Sequence, residues 1–211
     1  MARASEERVQ ARREEIIKAC AGLYERMGFK DVTIKEIGEA TSFTRTAIYN
    51  YFQTKEEIFL ALLQEEYENW VRDLEAAADA RERMSADEVA RTLAETLEKR
   101  GLLLKLMTMN HYDMEENSRM ERLAAFKGAY GASLRAVERL AEKCGLDAAA
   151  RRGFLYAFFP FVYGIYPYAV VSERQRTAMA QAGVEFSYQS IGELVYSCVK
   201  RLLEGAGNKK D

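Results

Sequence analysis

Residues 44–52 read TRTAIYNYF, and residues 54–57 follow as TKEE. At 3.6 residues per helical turn, Thr44, Ala47, Ile48, Tyr51 and Phe52 share one side, a mostly apolar set that needs a core to cover it. Arg45, Thr46, Tyr49 and Asn50 share the other side. That side carries donors and hydroxyls and no carboxylate, and nothing about folding requires such a set. An acid-free face suits a polyanion, because a carboxylate there would repel phosphates. Arg45 has the fork that engages guanine, and Thr46 offers a methyl and a hydroxyl to a base edge. Tyr49 and Asn50 can bond phosphate oxygens, which fixes register without reading sequence.

The flanking stretches frame this helix. Upstream, DVTIKEIGEAT (31–41) sets Thr33 and Glu36 at capping-box spacing and opens a helix of about eight residues. TSF (41–43) is a turn, and Thr44 is placed to cap the third helix. A longer helix comes first, from about Glu7 to Met27, with Val9, Ile16, Cys20, Leu23 and Met27 at three- and four-residue steps. Gly28 is placed as its left-handed stop, with Phe29 folding back on the last turn. Downstream, Thr54 and Glu57 repeat the box and open a long fourth helix. Two short helices joined by a tight turn and preceded by a longer one describe a helix-turn-helix unit, here at 33–52. Thr33 and Lys55 sit near helix N-termini, where free N–H groups and the dipole favour phosphate.

Composition agrees with an all-α fold. The 211 residues include two prolines, and valine and isoleucine are sparse beside alanine, leucine, glutamate and arginine. Net charge is −2, so the whole chain is no polycation. Cys20, Cys144 and Cys198 are odd in number and far apart, with no CxxC pair, which argues against a zinc ribbon or a disulfide framework and for free thiols in a reducing cytoplasm. The N-terminus has no apolar run suited to a secretory signal, and the richest apolar stretch, FLYAFFPFVYGIYPYAVV (154–171), reads as a buried helix bent at Pro160 and Pro167; no membrane partner is expected.

Beyond the fourth helix the punctuation stays helical. MSADE (84–88) pairs Ser85 with Glu88 as another capping box. Residues 102–113 are apolar and methionine-rich. ENSRM (116–120) starts a helix to about Lys143, closed by CGLD. The aromatic helix runs from Asp147 to about Val171, a loop-like SERQRTAMAQAGVEF (172–186) follows, and a last helix runs from about Tyr188 to Leu203. The tail 206–211 is expected to fray.

Residues 10–65 resemble the N-terminal domain of TetR-type (tetracycline repressor) transcriptional regulators. IIKACAGLYERMGFKDVTIKEIGEAT, TRTAIYNYF and TKEEIF carry the likeness: the Phe after a Gly, the Thr starting helix two, IYNYF ending helix three and the Lys of TKEE fall at that family's spacing. The resemblance implies a homodimeric, all-helical repressor with a ligand-responsive C-terminal domain. It places Thr33, Thr44, Arg45, Thr46, Tyr49, Asn50 and Lys55 at DNA-facing positions. The departures are Ser42–Phe43 where Gly-Val is frequent, Asn50 where His is common and Ala47 where Thr is common; they bear on which operator is read. On this reading residues 9–69 are a DNA-binding domain, joined by the long fourth helix to a ligand-binding and dimerisation domain at 70–205. Two recognition helices would enter successive major grooves of a palindromic double-stranded operator, roughly 34–36 Å apart.

The C-terminal two thirds are read on their own residues. Trp70, Met107, His111, Tyr112, Phe126, Tyr130, Phe158, Tyr163 and Tyr166 could line an aromatic cavity with polar tips for a small, partly aromatic or apolar effector; core or dimer interface are the alternatives. His111, the only histidine, with Asp113, Glu115 and Glu116 makes a poor preformed metal site, and neither metal nor cofactor is expected. On the final helix Tyr188, Ile191, Val195, Cys198 and Leu202 recur at helical steps as a dimer face. An activator or ligand-blind regulator of the same fold stays open. A helical enzyme has little support, since there is no nucleophile elbow and no phosphate-cradling glycine loop.

Overall fold

The computed structural model describes residues 2–109 and 111–207. Among them the chain is all-helical, without strands: α1 (Ala2–Arg26), α2 (Ile34–Glu39), α3 (Arg45–Ile48), α4 (Lys55–Asp79), α5 (Ala86–Glu98), α6 (Gly101–Met107), α7 (His111–Glu116), α8 (Met120–Lys143), α9 (Ala148–Ala169), α10 (Glu173–Gln181) and α11 (Ile191–Gly207). They fall into two compact units, one of residues up to Glu66 with those from 111 to Tyr130, the other of Tyr67–Met109 with those from Gly131 onward.

In the first unit, Ile16, Ile17, Cys20 and Tyr24 of α1 pack with Ile37, Ile48, Phe52 and Phe59 as a buried core. Tyr24 and Phe29 both meet the Phe59 ring edge-on, at 5.1 and 4.8 Å between centroids. Phe29 therefore docks on α4, against the ring that Tyr24 of α1 also meets. Gly28 is not left-handed: the glycines with positive φ are Gly145 and Gly183. Instead the Gly28 carbonyl accepts from the Asp31 and Val32 N–H groups, so a turn ends α1. Val9 is 46% exposed and belongs to no core. Burial pushes the Cys20 thiol up to about 12, which leaves it an inert apolar filler.

In the second unit, α11 lies against α5 and α9. Ile191, Val195, Val199 and Leu203 bury one stripe of α11 with Val89, Leu93 and Leu97 of α5 and Phe158, Phe159 and Val162 of α9. Ser85 and Glu88 form the full reciprocal capping box at the start of α5. Asp147 caps α9 through the Ala149 and Ala150 N–H groups. Left-handed Gly145 ends α8, with the Leu146 N–H reaching back to the Ala141 carbonyl. The stretch expected as loop at 172–186 contains α10, capped by Ser172 and stopped at Gly183; it buries no residue, so it left no apolar period to read. The expected frayed tail is helical through Gly207, and residues 208–211 lie outside the described residues. Among the described residues no single helix is long and apolar enough to cross a membrane.

A polar staple joins α5 to α11. Asp87 accepts from the Tyr196 hydroxyl (2.5 Å) and Lys200 Nζ (3.2 Å) on one oxygen and from Arg91 Nε (2.7 Å) on the other. These bonds, the tyrosine's first, hold the Asp87 carboxyl well below the usual carboxylate range. A depressed folded-state value stabilises the fold above the ordinary carboxylate pKa, and that contribution is lost as pH falls through the folded one. Asp87→Asn should therefore melt below wild type at pH 7, and the gap in Tm should close as the pH is taken below about 4, measured by circular dichroism.

Candidate nucleic-acid interface

The turn and its two helices are built by specific local bonds. The Thr33 hydroxyl accepts from the Lys35 and Glu36 N–H groups, capping α2. Thr41 Oγ1 donates to the Gly38 and Phe43 carbonyls, at 2.9 and 3.1 Å, closing the turn. Glu15 of α1 accepts from the Ser42 backbone N–H (2.5 Å) and hydroxyl (3.1 Å), so this serine pins the turn to α1. Those two bonds hold the Glu15 carboxyl below its ordinary value. Phe43 is half-buried, tilted against Tyr51 at 6.4 Å with the Arg12 guanidinium 5.1 Å above its ring. Sequence reasoning passed over Gly38, yet a Cβ there would stand 3.3 Å from the Arg45 backbone N and Cα. The absence of a side chain lets α2 and α3 approach; a glycine one turn before the turn residues was the available signal.

α3 is shorter than expected. Four residues are helical, and Asn50 and Tyr51 continue it by bonds to the carbonyls three residues back, up to Phe52. Ile48 and Phe52 are buried and Ala47 and Tyr51 half-buried, whereas Thr44, Arg45, Thr46, Tyr49 and Asn50 are exposed. Thr44 occupies the cap position without a side-chain cap bond. Arg45 Nη2 approaches the Tyr49 hydroxyl at 3.4 Å, lining the two along one edge.

Lys55 behaves differently from its neighbours on the expected DNA face. Its ammonium donates to the Phe29 and Val32 carbonyls, at 2.9 and 3.3 Å, and lies 4.2 Å over the Phe29 ring. It ties the α1–α2 connection to the start of α4. Glu57, placed by sequence in a local capping box, does accept the box geometry in part: its N–H reaches Thr54 Oγ1 at 3.2 Å, but its carboxylate takes the Gln53 N–H. That carboxylate is 0% exposed and pairs with Arg119, which no sequence signal near either residue announces.

The candidate effector residues divide between the units. Trp70, Met107 and Phe158 are buried, and Tyr163 and Tyr166 half-buried, in the second. Trp70 Nε1 donates to Thr96 Oγ1 (3.2 Å) and the Tyr163 hydroxyl pairs with that of Tyr67 (3.0 Å), so both polar tips are already engaged by the protein. Tyr67 was missed, although it shares a face of α4 with Trp70. His111, Tyr112, Phe126 and Tyr130 fall in the first unit, where the His111 ring stacks on Phe126 at 6.4 Å. Tyr112 is 80% exposed and lines no interior cavity, because the short α7 turns Met114 inward instead. Ile191 and Val195, expected at a dimer face, lie in the protomer's own core; Cys198 and Leu202 are half-exposed and Tyr188 exposed.

The exposed face of α3 is free of carboxylates and open to a polyanion. Residues 16–62 match the family model described as bacterial regulatory proteins, tetR family, and residues 64–206 match that of the tetracyclin repressor-like C-terminal domain. The chain belongs to the TetR family. It is a DNA-binding transcriptional regulator of the helix-turn-helix type. The HTH-type transcriptional regulator YfiR of Bacillus subtilis is 29% identical over 75 residues, 36% of this chain and 37% of that protein, so the chain spans little over a third of that relative's length. Among solved structures, a TetR-family regulator from Mesorhizobium loti superposes with a TM-score of 0.64 at 15% identity over 94% of this chain and 98% of that one. Thermus thermophilus FadR, a TetR-family repressor solved in complex with lauroyl-CoA, gives 0.54 at 21% over 92% and 94%. At these identities the likeness is one of fold.

The engagement of Lys55 separates it from Arg45 by experiment. Lys55→Met should cost about 1–3 kcal/mol of stability, since two charge-assisted bonds are lost, whereas Arg45→Ala on the open face should stay within about 0.5 kcal/mol; urea denaturation of both variants checks this.

Proposed function

We propose that this TetR-family regulator is a ligand-switched repressor that binds a palindromic operator as a homodimer and is released by a small, partly aromatic or apolar effector. The observation that carries the DNA half is the open face of α3: Arg45, Thr46, Tyr49 and Asn50 exposed together, with Ile48 and Phe52 beneath them buried. Arg45 and Thr46 would read bases, while Thr33, Thr44, Tyr49 and Asn50 would take phosphates. Lys55 serves the interface by fixing the α1–α2 connection. In this reading residues 9–69 form the DNA-binding head; of residues 70–205, those of the second unit form the effector and dimer domain, while 111–130 fold with the head.

A second copy of the chain fits the exposed face of α9. Tyr156 (82% exposed), Ala157, Pro160, Gly164 and Tyr168 (61% exposed) recur at three- and four-residue steps along it. Ala157, Pro160 and Gly164 leave room between the two exposed rings for a partner helix, and a groove of about 520 Å³ lined by Pro160, Gly164 and Tyr168 with Phe161, Phe186 and Leu194 runs along the stripe. With Ile191 and Val195 buried in the protomer's own core, this reading puts the interface centre on α9.

Tyr166, half-buried in the second unit, is kept as a candidate polar contact for an effector. An effector must favour the released state by about 5.5 kcal/mol to carry the population from 1:99 to 99:1. The lauroyl-CoA of Thermus FadR belongs to that protein, and it serves here as one probe in a panel of apolar and aromatic ligands.

Arg45→Ala should weaken binding to the operator by about 1–3 kcal/mol and leave binding to unrelated DNA nearly unchanged, by fluorescence anisotropy; equal affinity for the operator would remove the assignment of α3. Ala157→Arg should give the mass of a single chain by light scattering at micromolar concentration, and a persisting dimer would exclude α9 as the interface.

A further inference from the structure

We propose that Arg119 and Arg122 are positioning residues for operator recognition, holding the carboxy-terminal end of α3 although neither lies on its DNA-facing side. This rests on the DNA-binding reading above and adds to it the device that aims the reading face. All the groups concerned belong to the first unit.

The geometry begins at the fully buried Glu57 carboxylate. Its Oε1 accepts from Arg119 Nε (2.6 Å) and from the Arg119 backbone N–H (3.1 Å). Its Oε2 accepts from Arg119 Nη2 (2.8 Å) and from the Gln53 N–H (2.8 Å). One carboxylate thus joins Gln53, just past the recognition turn, the first turn of α4 and the residue that precedes α8. Beside it the Thr54 hydroxyl donates to the Asn117 carbonyl at 2.8 Å. Arg119 Nη2 and Arg122 Nη2 each lie 3.4 Å from the Tyr51 carbonyl, at the end of the recognition turn. The guanidiniums of Arg122 and Arg13 lie over the ring of buried Phe52, at 5.7 and 5.4 Å. Glu121 Oε1 is the other acid facing Arg119, at 3.2 Å.

A recognition turn with four helical residues cannot hold its own direction, because so short a helix is unstable alone. Ile48 and Phe52 anchor it from below, and the Tyr51 carbonyl is what residues 119 and 122 hold from its far end. Shifting residues 117–122 would release that carbonyl and rotate Arg45, Thr46, Tyr49 and Asn50 away from their common plane. Residues 117–122 follow α7 directly, so the segment carrying His111 and Met114 reaches the DNA-reading face through these two arginines.

The test uses the full chain and the duplex that the wild-type protein selects from a random library, compared with a shuffled duplex of the same composition. Affinities and their salt dependence are read by anisotropy for wild type, Arg119→Gln, Arg119→Lys, Arg122→Gln and Arg45→Ala, with folding monitored by circular dichroism. Arg119→Gln should reduce the selected-to-shuffled affinity ratio about tenfold, with the shuffled affinity and salt slope unchanged because no phosphate contact is removed. Arg119→Lys, which keeps the charge without the fork, should recover part of that ratio. Arg122→Gln, which leaves the Glu57 pair intact, should lower the ratio about threefold and decides the matter should Arg119→Gln not fold. A folded Arg119→Gln with an unchanged ratio, or in its absence an unchanged ratio for Arg122→Gln, overturns the proposal. If Arg45→Ala lowers the ratio and the arginine variants do not, this inference alone fails; if Arg45→Ala also leaves it unchanged, the DNA-binding assignment of α3 fails with it.

Discussion

A single carboxylate, taken out of water at Glu57, organises the DNA-binding unit. A buried charge must be met by charge and by hydrogen-bond donors, or the fold cannot hold it ionised. Here four N–H groups converge on it, three of them from Arg119, and Arg119 holds the Glu57 carboxyl below its usual range against the opposing effect of burial. Removing one partner of such a pair typically costs about 3–5 kcal/mol, because the other is left buried and unpaired. The constraint is mutual: Gln53, Glu57 and Arg119 cannot drift apart separately. Phe52 is enclosed at the same point, under two guanidiniums, and burial together with the neighbouring Arg122 pulls the Arg13 pKa down.

What the sequence made legible follows from how local each signal is. The helix-turn-helix could be read from TRTAIYNYF because a 3.6-residue period separates Ile48 and Phe52 from Arg45, Thr46, Tyr49 and Asn50 within nine positions. The caps at Thr33 and Ser85 could be read because a cap and its donors lie within three residues. The Glu57–Arg119 pair could not: 62 residues separate the partners, and each has an adequate local explanation, one as a capping acid and the other as a surface arginine. Lys55 shows the same ambiguity in reverse. A lysine at a helix start suits phosphate, and only its distances to Phe29 and Val32 show that it also ties the α1–α2 connection to α4. Ile191 and Val195 carried the right periodicity, but a period identifies an apolar stripe without saying whether its own chain or another covers it.

The second unit separates packing from recognition in the same way. The aromatic residues that the sequence grouped as one cluster divide between the two units, and those of the second are sorted by what their polar ends meet. Trp70 and Tyr163 are satisfied by Thr96 and Tyr67 and build the interior, whereas Tyr156 and Tyr168 stand in the open on α9. Buried tyrosine and tryptophan tips need partners, so a ring whose tip is already bonded is less available to a ligand than its composition suggests. The Asp87 staple between α5 and α11 adds a charged cross-link on the outside of the same packing.

α10 illustrates a different regime. With no side chain buried, it holds together through the Ser172 cap, its own backbone bonds, the left-handed glycine at Gly183 and Arg176, which reaches the Val171 carbonyl and lies over the Tyr188 ring. A nine-residue helix with such sparse support sits near the coil transition, so its amides should exchange with solvent early, well before those of α5 or α11. Its sequence is correspondingly under little steric restraint, and this is where the molecule can absorb substitution, or accept an inserted tag, at least cost to the packed helices on either side of it.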